Sequence, residues 1–277
     1  GEEGNRFATT GMIAYNTETF SAGWSQAYVG ANYLAEMGYV RRNSYHQSTP
    51  FVGYKFYTMS DKVAYHGPKL ESDFLWDPSF NLTDRELELE YSLMWRDRSS
   101  ITLGLENGYV MLLEPFDPTN TGGVEIPAGS EFNWNEVSLM YMSNMKRLFT
   151  FMVAGRYGGF YGGMRTSFEA EVNYRVQPYG SHSMVAAYNK VEMPDPYTSM
   201  DLVLVGPKLD ITFTEKLFFT TFVQYNNQID NINVNMRLQW RYAPVSDLYI
   251  VYTENSYPSG WETKNRGIAI KLSYWFN

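Results

Sequence analysis

The stretch Asn231–Arg241 reads NINVNMRLQWR and alternates polar and apolar side chains without a break. Its apolar positions are Ile232, Val234, Met236, Leu238 and Trp240, and its polar positions are Asn231, Asn233, Asn235, Arg237, Gln239 and Arg241. A period of two places these sets on opposite faces of a β-strand. Two architectures need such faces. One is a soluble sheet whose apolar face covers a core, and the other is a membrane barrel with lipid outside and water inside.

The same alternation recurs along the whole chain, and helical periodicity is almost absent. We identify fifteen strand-like segments: Arg6–Tyr15, Thr19–Val29, Pro50–Met59, Lys62–Trp76, Arg85–Arg96, Ser100–Leu113, Phe132–Met142, Arg147–Tyr157, Arg165–Val176, Ser181–Val191, Met200–Thr214, Lys216–Asn226, Asn231–Arg241, Asp247–Asn255 and Arg266–Phe276. Many reach the ~9–11 residues of a membrane-barrel strand, whereas strands of globular proteins average about 5–6.

The connections between these segments alternate in length. TMSDK, RDRSS, SNMKR, QPYGSH, FTEK and APVSD are short, longer loops fall between them, and FYGG and NQID are tight exceptions. Short turns on one rim and longer loops on the other are typical of outer-membrane barrels. Aromatic residues near strand ends suit the interfacial girdles of such barrels. We therefore predict an all-β fold, a transmembrane antiparallel up-and-down outer-membrane β-barrel over residues 1–277, with a soluble sandwich, barrel or lectin-like fold as the alternative.

The strand number is the weak point of this prediction, because single-chain bacterial barrels use even numbers. Lys62–Trp76 is interrupted by His66, Gly67 and Pro68, and proline cannot donate to a central ladder. We predict about fourteen strands, with sixteen as the alternative. An upstream strand missing from this sequence, together with an N-terminal domain, is one explanation of the odd count. The last strand enters from the side of the longer loops, so we expect the C-terminus at the short-turn, periplasmic rim.

Composition excludes some classes of protein. Aromatic residues make up 17% of the 277 residues, and charged residues make up 19%, below the roughly 25% of soluble domains. The net charge of −8 argues against a general nucleic-acid binder, which needs a basic face. The absence of cysteine fits an oxidising envelope compartment. We predict an outer-membrane location.

Charged residues on the polar parity are the candidate functional residues. They are Glu86, Glu88, Glu90, Glu169, Glu171, Arg156, Arg165, Arg175, Arg237, Arg241 and Lys271. One interpretation is a charged constriction that selects solutes. The other is a set of ion pairs that brace the wall of the barrel, since any such barrel has a polar interior.

Catalytic and metal chemistry have little support in the sequence. His46, His66 and His182 form no legible group with a nucleophile, so we assign no catalytic residue, metal ligand or cofactor. Asp117 and Asp195 lie in EPFDPTN and MPDPY, where an aspartate could bind a cation, but turn chemistry explains both residues as well and is the interpretation that we prefer. GGFYGG lacks the lysine and the helix of a phosphate loop, and we interpret it as a tight hairpin.

Several stretches carry a resemblance to a known family. They are Glu36–Arg42 (EMGYVRR), Gly158–Gly163 (GGFYGG), Thr220–Trp240, Ser246–Tyr252 (SDLYIVY) and Lys271–Asn277 (KLSYWFN). The chain resembles the C-terminal barrel of an uncharacterised group of Bacteroidota outer-membrane proteins. Those proteins usually carry an N-terminal domain resembling the family-nine carbohydrate-binding module, which is not present in this sequence. The resemblance implies the barrel fold and the outer-membrane location, but no chemistry.

These observations leave three functions open. The first is a pore or small-solute transporter, for which the resemblance makes a glycan-related solute one option. The second is a plugged structural or accessory subunit of an outer-membrane protein complex, and the third is a membrane-embedded hydrolase. The partners implied are outer-membrane lipid, lipopolysaccharide and an outer-membrane protein. Arg41–Arg42 is the one basic pair expected near the strand tops.

Overall fold

The computed structural model describes residues 5–35, 38 and 42–276, and it is all-β. The strands are β1 (Ala8–Asn16), β2 (Phe20–Val29), β3 (Tyr45–Tyr54), β4 (Phe56–Tyr57), β5 (Val63–Trp76), β6 (Leu82–Trp95), β7 (Ser100–Met111), β8 (Glu131–Met142), β9 (Phe149–Phe160), β10 (Gly163–Val176), β11 (Gly180–Glu192), β12 (Met200–Thr214), β13 (Leu217–Asn226), β14 (Asn231–Ala243), β15 (Ser246–Ser256) and β16 (Thr263–Leu272). Within these residues no helix is long and apolar enough to cross a membrane.

The sixteen strands form one antiparallel up-and-down sheet, in which each strand lies beside its neighbour in sequence. Only the two-residue β4 lies off this path, where it pairs with β5. The predicted all-β, up-and-down order is confirmed. The sheet of the described residues has sixteen strands rather than fourteen, and it reaches sixteen only when β4 is counted separately.

Pro68 explains why β4 is separate. The register is the same on both sides of Lys55, with Gly53 opposite Lys69 in β3 and Phe56 opposite His66 in β4. In that register Pro68 falls opposite Tyr54, and proline has no amide N–H to donate to the ladder. Strand β5 itself runs without interruption through His66, Gly67 and Pro68. The sheet therefore follows the fifteen segments identified in the sequence, and one of them, Pro50–Met59, is divided between the end of β3 and β4.

Strand pairing defines two faces of the sheet, because directly opposite residues share a face. On one face Glu88 of β6 lies opposite Glu71 of β5 and Glu106 of β7. We call this the charged face. On the other face Leu89 lies opposite Leu70 and Leu105 in the same three strands, and we call this the aliphatic face.

The opening stretch follows the same rule. In β14, Arg237 lies opposite Thr220 of β13 and Val251 of β15, on the charged face. Leu238 lies opposite Phe219 and Ile250, on the aliphatic face.

The aliphatic face is largely exposed. Leu89, in the middle of β6, has 45% of its surface accessible, and Leu139 of β8, Phe168 of β10 and Trp240 of β14 are also exposed. The buried apolar residues among those described are few: Val29, Val110, Leu112, Ile126, Val191 and Ile232. Soluble monomers rarely leave so much contiguous apolar surface in water. Among residues 5–35, 38 and 42–276, no second protein layer covers these side chains.

The chain divides into two compact units. The first comprises Gly1–Met140, Arg156–Thr166 and Val191–Ser199, and the second comprises Tyr141–Gly155, Ser167–Lys190 and Met200–Asn277. The first unit contains the acidic strand β6 and a small core where Ile126 packs against Val110 and Leu112.

Candidate functional site

Glu86, Glu88 and Glu90 project from β6 onto the charged face of the first unit, and we call them the acidic column. Opposite them on β5 lie Asp73, Glu71 and Lys69, and opposite them on β7 lie Gly108, Glu106 and Gly104. Like charges placed directly opposite each other in a sheet are destabilising. Asp73 faces Glu86 and Glu71 faces Glu88, so this arrangement concentrates negative charge that the fold does not require.

The acidic column has little positive charge beside it. Among the described residues, Glu86, Glu88 and Glu90 take part in no hydrogen bond or ion pair, whereas Lys69 Nζ lies 2.7 Å from Glu71 Oε1. Two-residue spacing places successive carboxylates about 6.8 Å apart along the strand. The column is therefore a row of negative charges available to solutes.

Arg156 and Arg165 form ion pairs that link neighbouring strands of the sheet. Arg165 Nη2 donates to Glu136 Oε2 at 2.6 Å, and its Nε donates to the same oxygen at 2.9 Å. Arg156 Nη1 lies 3.1 Å from Glu136 Oε1 and 3.3 Å from Glu106 Oε2. The Glu136 side chain is only 1% exposed. The first unit thus contains both an ion-paired glutamate, Glu136, and an unpaired acidic row on β6.

The other predicted residues lie mainly in the second unit and form no single cluster there. Arg241 Nε lies 3.3 Å from Asp247 Oδ1, and Arg175 donates to the main-chain carbonyl of Met145 at 2.8 Å. The remaining predicted residues in that unit are exposed on their strands: Glu169, Glu171, Arg237 and Lys271.

Sequence reasoning missed Asp73, Glu106 and Glu136. Each lies within a predicted strand, and Glu106 and Glu136 have the parity of the charged face in β7 and β8. Parity would have identified them as members of the polar face. It gave no sign that Glu136, rather than the three glutamates of β6, is the buried partner of two arginines, because that depends on pairing between strands.

The connection between β7 and β8 folds back over the charged face of the first unit. Ile126, which is 1% exposed, packs against Val110 and Leu112, with Phe132, Trp134, Tyr161, Met193 and Tyr197 around it. Main-chain hydrogen bonds link Phe116 and Ile126 in both directions, at 2.8 and 3.0 Å. The predicted long loop is confirmed, and it is anchored by its own apolar residue.

Asp117 organises the middle of this loop. Its Oδ1 accepts hydrogen bonds from the amide and the hydroxyl of Thr119, at 2.9 and 2.6 Å. Its Oδ2 accepts from the amides of Thr121 and Gly122, at 2.8 and 3.0 Å. Turn chemistry, the preferred interpretation of this aspartate, is confirmed. Burial raises the pKa of Asp117, but these hydrogen bonds outweigh burial and lower the pKa to about 2.

The low pKa of Asp117 predicts how the loop responds to acid. Because the folded-state pKa lies below the ordinary value of 3.8, its contribution to stability is complete above that ordinary value and is lost as the pH falls through about 2. We expect the Thr121 amide resonance to titrate with a midpoint near 2 in NMR spectra. Asp117→Asn should abolish this titration and leave the amide less protected from exchange at every pH. A midpoint near 4 would contradict the assignment.

The hairpin GGFYGG is as tight as predicted, with β9 ending at Phe160 and β10 beginning at Gly163. Tyr161 and Gly162 have positive φ angles of 47° and 82°, as a type I′ turn requires. Tyr161 is an unusual residue for this position, and its ring stacks on Trp134 at a centroid distance of 5.4 Å.

A cavity of about 970 Å³ opens in the first unit beside this aromatic pair. Its lining includes Asp73, Glu86, Glu106, Trp134 and Tyr161, and the loop contributes Phe116. The loop therefore narrows the space over the charged face but leaves room for a small solute.

The histidines do not converge on a catalytic group. His46 lies in β3 rather than in a long loop, and its ring stacks on Phe80 at 4.5 Å. His66 Nδ1 lies 2.5 Å from the hydroxyl of Tyr91. His182 lies near the start of β11 in the second unit.

The predicted basic pair is described only in part. Arg42 Nη1 donates to Asp84 Oδ2 at 2.6 Å, so its charge is used within the protein. Arg41 lies outside the described residues, as do Glu36, Met37, Tyr39 and Val40 of EMGYVRR and the terminal Asn277.

No protein-family model matches the chain, and no curated protein sequence matches it.

Proposed function

We propose that the sheet closes into an outer-membrane barrel that passes small solutes and favours cations. The acidic column carries the functional part of this proposal, since it presents three carboxylates without an ion pair among the described residues. Rings or rows of Asp and Glu side chains are what cation-selective pores use. Two unit charges 4 Å apart attract by about 4 kcal/mol at the effective dielectric constant of a protein surface, so the column would concentrate cations.

The exposed aliphatic face supports the membrane part of the proposal. Leu70, Leu89 and Leu105 form a row across three strands, with no protein layer described over it. Lipid is the natural partner of such a face, and the headgroup region of an outer membrane would include lipopolysaccharide. In this arrangement the short turns and the end of β16 lie at the periplasmic rim.

Closure follows from the same physics, because lipid cannot satisfy the unpaired amides and carbonyls of a sheet edge. When β3 and β4 are counted as one, the sheet has fifteen strands whose directions alternate. The first and the last of them, β1 and β16, therefore run in the same direction. A closed wall then needs either parallel pairing of these two strands or one more strand that runs against both.

The proposal is tested by current through planar bilayers under a potassium chloride gradient. Replacing Glu86, Glu88 and Glu90 together by glutamine is expected to move the reversal potential from cation-selective towards zero. The matched control replaces three carboxylates of the short turns, Glu18→Gln, Asp61→Asn and Glu215→Gln, and should retain the wild-type value. An anion preference of the wild-type protein would contradict the proposed cation selectivity. The absence of current at every voltage would contradict the proposal that the protein is a pore.

The second candidate function is a plugged structural or accessory subunit, which the loop anchored by Ile126 favours. In that case the barrel is closed to ions, and a stable outer-membrane partner co-purifies with it. Releasing the loop distinguishes the two candidates. Ile126→Asp should open an impermeable barrel, whereas it should raise an existing conductance only modestly.

A further inference from the structure

Five acidic and two basic side chains line the cavity of the first unit, so its lining carries an excess of negative charge. Asp73 accepts two hydrogen bonds from Gln47 Nε2, at 2.8 and 2.9 Å, and Asp84 is paired with Arg42. Glu106 is paired with Arg156. Glu86 and Glu114 are exposed, line the cavity, and take part in no hydrogen bond or ion pair with the residues described. Of these two, Glu86 lies on the strand next to the aromatic residues of the cavity.

An aromatic wall lies next to this carboxylate. Gly108 is directly opposite Glu86 in the register of β6 and β7. A Cβ atom on Gly108 would lie 2.4 Å from Cε2 of Trp134, so the missing side chain is what lets the indole ring occupy the neighbouring position. Tyr161 extends the wall by stacking on Trp134, and Phe116 of the loop lies 5.3 Å from Tyr161.

We propose that this cavity binds a small organic cation. Glu86 would hold the positive charge, and the faces of Trp134 and Tyr161 would hold its methyl or alkyl groups. An aromatic face attracts a cation, and tryptophan does so most strongly. A volume of about 970 Å³ lies within the range of small-molecule sites. The cavity suits ammonium or guanidinium compounds with apolar substituents.

Two other ligand classes fit less well. A divalent metal ion needs several oxygen ligands that converge on one point, and the described residues contain no such group of three or more His, Cys, Asp or Glu residues. A neutral sugar would use the aromatic wall and the amide of Gln47, but would leave the charge of Glu86 uncompensated. The free carboxylate therefore favours the cation.

This inference rests on the proposed function in one respect, that solutes meet the cavity on their way to the acidic column. Binding itself needs no open pore. Calorimetry on the refolded full chain in detergent tests binding to the cavity, and conductance in bilayers tests the pore. A negative result in one measurement therefore leaves the other hypothesis standing.

The test is calorimetric titration with choline, with its neutral isostere 3,3-dimethylbutan-1-ol as the matched ligand. Choline should bind, and the isostere should bind at least about tenfold more weakly, a difference of roughly 1.4 kcal/mol. Glu86→Gln should weaken choline binding by about tenfold and make the two ligands similar. Glu18→Gln, at an exposed carboxylate of a short turn outside the cavity, serves as the control and should leave choline binding unchanged.

The aromatic wall is tested with Trp134→Leu, which should also weaken choline binding by about tenfold. Trp134→Phe should retain part of the affinity, and it stands in if the leucine variant does not refold. The proposal is overturned if choline does not bind the wild-type chain, if the isostere binds equally well, or if Glu86→Gln changes nothing. Maltose binding that depends on Trp134 but not on Glu86 would instead assign the cavity to sugars.

Discussion

Replacing Leu89 by arginine is expected to lower the free energy of unfolding from lipid vesicles by about 2–4 kcal/mol. Leu89 lies in the middle of β6 on the aliphatic face, between Leu70 and Leu105. In a membrane barrel this position faces hydrocarbon, where an arginine must leave water or distort the bilayer. The loss is measured by urea unfolding in vesicles, followed by tryptophan fluorescence.

The matched control is Glu88→Arg, one residue away on the charged face. The side chain introduced is the same, but there it meets water and the neighbouring carboxylates Glu71 and Glu106. We expect stability within about 1 kcal/mol of the wild-type value, because lumen positions tolerate charge. Equal losses in the two variants would contradict the membrane-facing assignment, as would a wild-type chain that stays monodisperse without detergent.

Replacing Arg165 by methionine is the second large expected effect, a loss of about 3 kcal/mol in the free energy of unfolding. The substitution removes both guanidinium hydrogen bonds to Glu136 Oε2, at 2.6 and 2.9 Å. Arg156 Nη1 remains 3.1 Å from Glu136 Oε1. The Glu136 carboxylate, whose side chain is 1% exposed, then keeps only one of its two arginine partners. Breaking one side of a buried ion pair costs more than the pair contributes, because the surviving charge stays desolvated.

Arg237→Met is the control for this prediction, since Arg237 is an exposed arginine on the charged face of β14. Its loss should change stability by less than about 0.5 kcal/mol. Combining Arg165→Met with Glu136→Leu should recover part of the stability, because the double variant no longer buries an uncompensated charge. Equal stabilities of the two arginine variants would show that Glu136 does not depend on Arg165.

The long strands were predictable because alternation is a local property. Fourteen of the fifteen segments read from the sequence correspond to one continuous strand each, including Lys62–Trp76 with its proline, whereas Pro50–Met59 is divided between β3 and β4. The boundaries were less predictable. Strand β3 begins at Tyr45 rather than Pro50, because the polar run YHQST is held in register by β2, where Tyr28 lies opposite His46. Strand β16 spans Thr263–Leu272 rather than Arg266–Phe276.

For the candidate site, the sequence predicted only which residues share one face of a strand. Parity placed Glu86, Glu88 and Glu90 on one side of a strand, and that side is charged, as predicted. Which carboxylates are neutralised depends on which residues lie across the neighbouring strands. Arg165 is 29 positions from Glu136, and no local pattern encodes that contact. The cavity depends on Gly108 lying beside Trp134, which also requires the pairing of strands.

The amino-acid sequence alone determined that this protein is a chain of long, two-faced strands in up-and-down order, because a period of two and short turns act over a few residues. The tertiary structure decided that Glu136 is braced, that Glu86 stays free and that Ile126 folds its loop back over the charged face. Those outcomes depend on register and packing between residues far apart in the chain, because these contacts determine how far each charge is removed from water and which partner it meets.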